Sequence, residues 1–396
     1  MLGAGSMFTP KLVRDVLLIE GNQGGRIALV DVDEDRLQRM HRLIVRMLDE
    51  LGEGSWTVVA STDRAEVMAG SDYLVCCIEV SGVECVKFDN DIPLEYGVDQ
   101  CIGDTIGPGG LFKALRTVPV YLDVLRDVRR LCPGAWMLNY TNPMSIMCLA
   151  AGRAVPEVQT VGLCHSVQGT TSMLAERVGV PIEEVVFECA GINHLAWVTR
   201  FERDGVDLYS ELKRGAAEDV EAAIGALASG NGAVLPVTAG EGGDSDLVRK
   251  EMLLQFGAYI TESSGHLSEY LPYFRKNEDG RRLLRDGYHG GSRFYADNWP
   301  AWRRGADDER DRLISGENPL DWKRSWEYGS WIIEAREKNT PWKIYGNVMN
   351  RDVSGRGELI TNLPADGCVE VACMVDGAGI HPTRYGALPR SMAPPS

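Results

Sequence analysis

"MLGAGSMFTPKLVRDVLLIEG", residues 1–21, sets a glycine-rich turn directly ahead of a stretch with helical periodicity at Leu12, Val13, Val16 and Leu17. Backbone N–H groups of such a turn can approach a pyrophosphate, and the helix N-terminus behind them favours its charge. "GRIALVDVDEDRL", residues 25–37, follows as an apolar strand that reaches Asp31 and Asp33 before another helix begins. An acidic residue closing the second strand of a dinucleotide fold binds the ribose hydroxyls, and Asp31 stands near the spacing of roughly 20 residues expected past the glycines. Gly3, Gly5, Ser6, Met7 and Asp31 are therefore the candidate NAD-binding residues. Phe8 stands where G-x-G-x-x-G has its third glycine, and only Met1 and Leu2 precede Gly3. The first strand is expected to be curtailed, and the start of the chain reads as clipped.

Outward from this turn, "SDYLVCCIEV" (71–80), "AWMLNYTN" (135–142) and "VQTVGLCH" (158–165) read as buried parallel strands. Segments of helical character at 65–68, 122–131 and 145–154 separate them. Strands alternating with helices imply a parallel sheet wound by right-handed crossovers. The expectation is an α/β fold, a Rossmann-like doubly wound parallel sheet over residues 1–170, followed by a second α+β domain over 171–396. Ligands of such sheets bind beyond the carboxyl ends of the strands, which puts residues 139–142 and 164–165 at the ligand edge. "EEVVFECAGINHLAWVTRFERDGVDLY" (183–209) alternates like antiparallel strands with a turn at Asp204 and Gly205. Residues 215–243 are expected to be a mobile loop with a short helix, and the tryptophan-rich stretch 298–342 is helical in texture.

Composition narrows the class. A chain of 396 residues, 44% hydrophobic and 25% charged, reads as an ordinary soluble globular protein. Its net charge of −16 argues against a nucleic-acid partner. No apolar run approaches the roughly 20 residues of a membrane helix, and no charged, apolar leader stands before the glycine turn, so a membrane partner and a secretory route are not expected. Ten cysteines without a CxxC pair fit free thiols in a reducing, cytoplasmic setting.

Several residues could carry chemistry, each with a plainer reading beside it. Cys164 and His194 lie on different elements, and a thiolate with an imidazole suits a borderline divalent metal that keeps positions open for substrate oxygens. A buried cysteine and a hydrogen-bonded core histidine would look the same. "IGDTIGPGGLFKALRTVPV" (102–120) places Asp104 before a glycine-rich loop and a helix, as a second anion-binding turn or a helix cap. "NYTNPM" (139–144) offers Asn142 or a common Asn-Pro turn. "GHLSEYLPYF" (265–274) holds His266, Glu269, Tyr270 and Tyr273, an aromatic cluster of a kind more often core than catalytic.

Taken in order, GAGS, "LVDVDEDRL", "GDTIGPGGLFKALRTVPV", "LNYTNPM", "VGLCHSVQGT", "AGINHLAW", "TESSGHLSEYLPYF" and "NLPADGCVEVACMVD" resemble glycoside hydrolase family 4, closest to its melibiase-type α-galactosidases. The resemblance runs from Leu2 to about Leu388. It implies hydrolysis of an α-galactoside in which NAD oxidises the sugar C3 hydroxyl, a base removes the C2 proton, the C1–O bond breaks by elimination, water adds, and the hydride returns. It also implies Cys164 and His194 as ligands of Mn²⁺, Tyr270 as the C2 base, His165 as the leaving-group acid, Asn142 as a sugar contact and Asp104 near the C3 hydroxyl or the metal waters. A phenol of ordinary pKa near 10 is a poor base at neutral pH, so a nearby cation is expected to help. An α-galacturonidase of the same family is the alternative substrate class, with the phospho-sugar branch behind it. An NAD-dependent sugar or polyol dehydrogenase, or a non-catalytic dinucleotide sensor, remains open outside the family. Family members continue past "GALP" with further helices that pack on the sheet and help form a homo-oligomer; here an exposed apolar patch is expected in their place.

Overall fold

The computed structural model describes residues 1–52, 54–228, 245–351, 355 and 357–393, without the side chains of 226–228. The strands in chain order are β1 (Gly25–Val30), β2 (Trp56–Ser61), β3 (Tyr73–Cys76), β4 (Trp136–Asn139), β5 (Gln159–Leu163), β6 (Val186–Ile192), β7 (Leu195–Arg203), β8 (Val206–Asp207), β9 (Tyr259–Ile260), β10 (Trp342–Met349), β11 (Cys368–Asp376) and β12 (Gly379–Pro382). β1 pairs parallel with β2, and β3, β4 and β5 pair parallel in sequence order. Leu2 joins these two groups as a strand one residue long, bridging Val30 on one side and Cys76 on the other, parallel to both. Its N–H donates to Val75 O at 2.8 Å, and Cys77 N–H donates to its carbonyl at 2.9 Å.

The crossover helices follow from local signals. Helix Glu34–Leu51 starts at Asp33, whose carboxylate accepts the Arg36 N–H, and stops at Gly52 in the left-handed conformation, φ 69°. Its apolar stripe buries Leu37, Met40, Leu43, Ile44 and Met47, each contributing about 1.5–3 kcal/mol over an exposed side chain. Helix Gly107–Leu131 extends far beyond the expected segment 122–131. Helix Cys85–Glu95 has no counterpart in the sequence reading, because its apolar Phe88 and Ile92 face solvent and leave no core-facing stripe. With Tyr96, Phe112 and Leu115 they form an exposed apolar patch. Residues 77–80, expected to prolong β3, leave the sheet.

The sheet then turns antiparallel. β10 pairs with β5 through Gly346 with Leu163 and Asn347 with Gly162. β11 lies against β10, β6 meets β11 at Gly191 and Glu370, and β7 pairs with β6. β8 and β9 flank β7, and β12 flanks β11. The strand order β3-β4-β5-β10-β11-β6-β7-β8 is therefore one mixed sheet that passes the boundary expected near residue 170, which itself lies inside helix Ser166–Arg177. The turn expected at Asp204 and Gly205 joins β7 to β8. In place of a loop with a short helix, Tyr209–Ala228 is a 20-residue helix; the remainder of that stretch, 229–243, lies outside the described residues.

Candidate active site

Five separate elements converge beyond the end of β5. Cys164 follows the last residue of that strand. His194 occupies the tight turn between β6 and β7 in the left-handed region, φ 61°. Asp104 and Thr105 precede helix Gly107–Leu131, and Asn142 follows β4. Glu262, also left-handed at φ 74°, leads into helix Ser264–Tyr270. Ser263 caps that helix by accepting the His266 N–H at 3.2 Å, and the i, i+4 spacing turns His266 and Tyr270 to one face.

The side chains form a connected network. His194 Nδ1 lies 3.1 Å from Thr105 Oγ1 and 3.2 Å from the Tyr270 hydroxyl. Thr105 donates to Asp104 Oδ1 at 2.8 Å, and Asn142 Nδ2 donates to Asp104 Oδ2 at 3.2 Å. Glu262 reaches His194 Nε2 at 3.6 Å and His266 Nδ1 at 3.5 Å, and accepts the Tyr288 hydroxyl at 2.7 Å. The donor atoms of Cys164, His194 and Glu262 all lie within 4.8 Å of one another, as do those of Asp104, His194 and His266. A thiolate, an imidazole and a carboxylate drawn this close, and largely buried, fit a divalent transition metal. Polar atoms without partners surround them: Asn142 Oδ1, both side-chain polar atoms of Asn193, Ser166 Oγ and Glu370 Oε2.

Electrostatics separates the roles. Burial works to lower the pKa of His194, but Cys164 and then Glu262 push it up to about 10. Burial works to raise Glu262, yet His266 and His194 carry it down to about 2. His266 is pushed down to about 4, chiefly by burial. Asp104 is held below the usual carboxylate range: burial opposes this, and His266, Lys113 and His194 impose it. Tyr270 goes the other way. Burial raises its pKa well above the ordinary value, and the charges of Asp104 and Glu269 add to the rise. The nearby cation expected to assist this phenol has a candidate in His194, whose Nδ1 lies 3.2 Å from the Tyr270 hydroxyl, and the divalent ion that the neighbouring donors fit would supply a second.

Glu269 fixes the helix of Tyr270 to the loop that carries Asp104. Its carboxylate accepts the N–H groups of Cys101, Ile102 and Gly103 at 2.8, 3.0 and 3.0 Å, tying that loop to the helix of Tyr270. Burial lifts its pKa to about 7 against these three donors.

At the other end of the crevice, Gly3 adopts φ 75°, where a Cβ would stand 2.4 Å from Cys77 O. Gly5 donates its N–H to Asp31 Oδ2 at 2.7 Å, and Asp31 Oδ1 accepts the Asp33 N–H. Ser6 N–H closes the turn on Gly3 O, Met7 is exposed, and Phe8 precedes helix Thr9–Leu17 in place of the third glycine. A bare, close-approaching backbone with a carboxylate at the strand end fits a dinucleotide. The Phe8 ring lies 6.0 Å from His165, whose own ring is 6.0 Å from Trp326. His165 is thus exposed between two aromatics at the rim, while Cys164 beside it points into the donor cluster.

A dinucleotide turn and a metal-competent donor set opening on one crevice define the class: an enzyme of the dinucleotide-binding α/β type with a metal site at its substrate end. More particularly, the chain belongs to glycosyl hydrolase family 4, since residues 1–180 match the family 4 glycosyl hydrolase model and residues 189–394 match that of its C-terminal domain. It is 37% identical to an α-galactosidase of Bacillus subtilis, over 99% of this chain and 84% of that protein. It is 36% identical to an α-galactosidase of Rhizobium meliloti, over 99% of this chain and 76% of that protein. A 6-phospho-α-glucosidase from gut microorganisms, solved in complex with NAD and Mn²⁺, shares the fold with a TM-score of 0.76 at 21% identity, over 99% of this chain and 84% of the other.

Glu262 was not singled out by sequence reasoning, and His266 and Glu269 were weighed there as core. The available signal was the spacing of Glu262 and His266 by four residues around the capping Ser263. Glu370 carried none, since its approach to the β6–β7 turn depends on the pairing of β6 with β11.

Proposed function

We propose that this enzyme hydrolyses α-galactosides using NAD and a divalent metal, Mn²⁺ by preference, in the cytoplasm and as a homo-oligomer. The observation that carries the reading is the meeting of Cys164, Asp104 and Tyr270 at His194, in a chain whose relatives at 36–37% identity are α-galactosidases. Cys164 and His194 would hold the metal with Glu262 beside them; Gly3, Gly5, Ser6, Met7 and Asp31 would hold the dinucleotide. Bound NAD supplies a reversible hydride acceptor, and the bound metal a Lewis acid for the sugar hydroxyls. The Tyr270 oxygen takes the proton from sugar C2, adjacent to an oxidised C3. Elimination at C1 follows, with His165 delivering a proton to the leaving group from the rim, and water then adds. Asn142 and Asp104 hold the sugar hydroxyls, the free Asn142 Oδ1 being one of the acceptors on offer. No helix among the described residues is long and apolar enough to cross a membrane. The exposed apolar patch at Phe88, Ile92, Tyr96, Phe112 and Leu115 supports self-association.

Release of p-nitrophenol from its α-galactoside is expected to require both NAD and Mn²⁺. Full activity after exhaustive chelation and stripping of NAD would refute the reading. The α-galacturonide, the α-glucoside and 6-phospho substrates, run in parallel, decide the substrate class.

A further inference from the structure

Cys164 and His194 leave the sheet from strands that are not neighbours, since β10 and β11 lie between β5 and β6. One row of residues crosses that interval. Gly162 on β5 stands opposite Asn347 on β10, Asn347 opposite Glu370 on β11, and Glu370 opposite Gly191 on β6. Residues directly opposite on adjacent strands share a face, so the Asn347 and Glu370 side chains lie side by side. Both are fully buried, although Gly346, Val348, Val369 and Val371 flank them along their strands. A carboxyl at such a place costs the fold more than an aliphatic side chain would.

The pair reaches both ends of the row. Asn347 Nδ2 donates to Gly162 O at 3.4 Å, on the strand that delivers Cys164, and to Glu370 Oε1 at 3.2 Å. On the other side Glu370 approaches the two-residue turn of Asn193 and His194. Burial raises the pKa of Glu370 to about 7, and His194, Asn347 and Asn193 work against that rise. Glu370 Oε2 and both polar atoms of Asn193 are buried without another partner. That turn needs holding. His194 keeps a left-handed φ of 61°, a conformation that strains a residue with a Cβ and persists where its surroundings over-determine it.

We propose that Glu370 is a positioning residue for the metal ligands. Through Asn347 it is tied to the strand of Cys164, and through Asn193 to the turn of His194. Its hydrogen bonds thereby set the separation of thiolate and imidazole, and with it the affinity for the divalent ion. This rests on the reading of Cys164 and His194 as a metal pair. Groups that orient metal ligands from behind change metal affinity by roughly 10–100-fold when they are removed.

The test sets Glu370→Met, which keeps the bulk of the side chain and removes its hydrogen bonds, beside Glu370→Gln, whose amide can still accept from Asn347 and donate to Asn193. Mn²⁺ affinity is measured by calorimetry, and Cys164 ligation by the thiolate-to-metal charge-transfer band of the Co²⁺-loaded protein. The Met variant is expected to bind Mn²⁺ roughly 10–100-fold more weakly, with the cobalt band weakened. Its unfolding midpoint without metal should stay at or above that of the parent, and its NAD affinity should be unchanged. The Gln variant is expected to return both metal readouts to near the parent. Parent-like Mn²⁺ affinity and cobalt band in the Met variant would overturn the proposal. A Gln variant as weak as the Met variant would overturn it too, since charge rather than position would then be at work. If the Met variant does not fold, Asn347→Leu combined with Glu370→Met, which replaces both partners by apolar groups, is read in the same way. A parent chain without a thiolate–cobalt band defeats the metal reading itself, and the proposal with it.

Discussion

At Gly3 the restriction lies in the main chain, where a single added carbon would meet the Cys77 carbonyl at 2.4 Å. At Tyr270 the main chain is an ordinary helix, and only the phenol oxygen reaches out to His194. The dinucleotide end of the crevice is thus made of backbone shape, and the metal end of side-chain atoms brought from five elements. The first kind of site fails when something is added, the second when something is taken away. Substitutions of each kind should therefore separate affinity from turnover.

Tyr270→Phe is expected to have the largest effect, because it removes the oxygen proposed to take the C2 proton and keeps the ring. Turnover should fall by roughly 10²–10⁴-fold with the unfolding midpoint and NAD affinity close to the parent, and deuterium uptake at C2 of product formed in D₂O should fall with it. Parent-level exchange in the variant would move the base elsewhere, with His165 and His266 next.

Behind the metal end, Asp246 probes the scaffold. It accepts from Arg249 Nε and Ser264 Oγ at 2.7 Å each and from Arg177 at 3.1 Å. Burial works to raise its pKa, but Arg249 and Arg177 hold it well below the ordinary 3.8. A depressed carboxylate stabilises the fold at pH values above its unfolded pKa, and that stabilisation is lost as pH falls through the folded value. Asp246→Asn should cost about 3–5 kcal/mol at neutral pH by leaving buried arginines uncompensated. The variant should also lose the parent's acid sensitivity below about pH 4. Denaturant titrations at pH 7 and pH 3 measure both; an equal loss at the two pH values would show that the ion pairs are not what Asp246 contributes.

Gly5→Ala sharpens the contrast from the backbone side. The new Cβ would lie 2.9 Å from Asp31 Oδ2 and 3.0 Å from Arg36 Cβ, an overpacking worth about 1–3 kcal/mol. NAD affinity should weaken while Mn²⁺ affinity stays, both by calorimetry. Loss of both together would show that the two ends are not separable.

The same contrast explains what was legible in the sequence. A backbone-made site leaves a local pattern, so Gly3, Gly5 and Asp31 were readable within one βαβ stretch. Cys164, His194 and Tyr270 were individually ambiguous, and their order along a family-like chain decided them. Glu262 and His266 were not, since a carboxylate and a histidine one helical turn apart are common on any helix. The antiparallel continuation of the sheet was half visible: β6 to β8 alternate plainly, but nothing in residues 342–349 announces that they pair with Gly162 and Leu163. Pairing partners far apart in sequence leave no periodicity to read.

That last pairing bears on how such an enzyme can change over time. β10 meets β5 through Gly346 and Asn347 alone, one step before Cys164. A Cβ on Gly162 would fall 2.6 Å from Cys148 Sγ and 2.9 Å from Asn347 Cβ, and one on Gly346 would fall 2.9 Å from Val161 Cγ2. The seam between the two halves is therefore a close-fitting joint rather than a linker, and it sits under Cys164, the proposed metal ligand. Exchanging one half for that of a distant cousin would misalign Cys164 against His194 unless both sides of the seam travelled together. Keeping the two sides of this seam in register is therefore a condition for keeping Cys164 opposite His194.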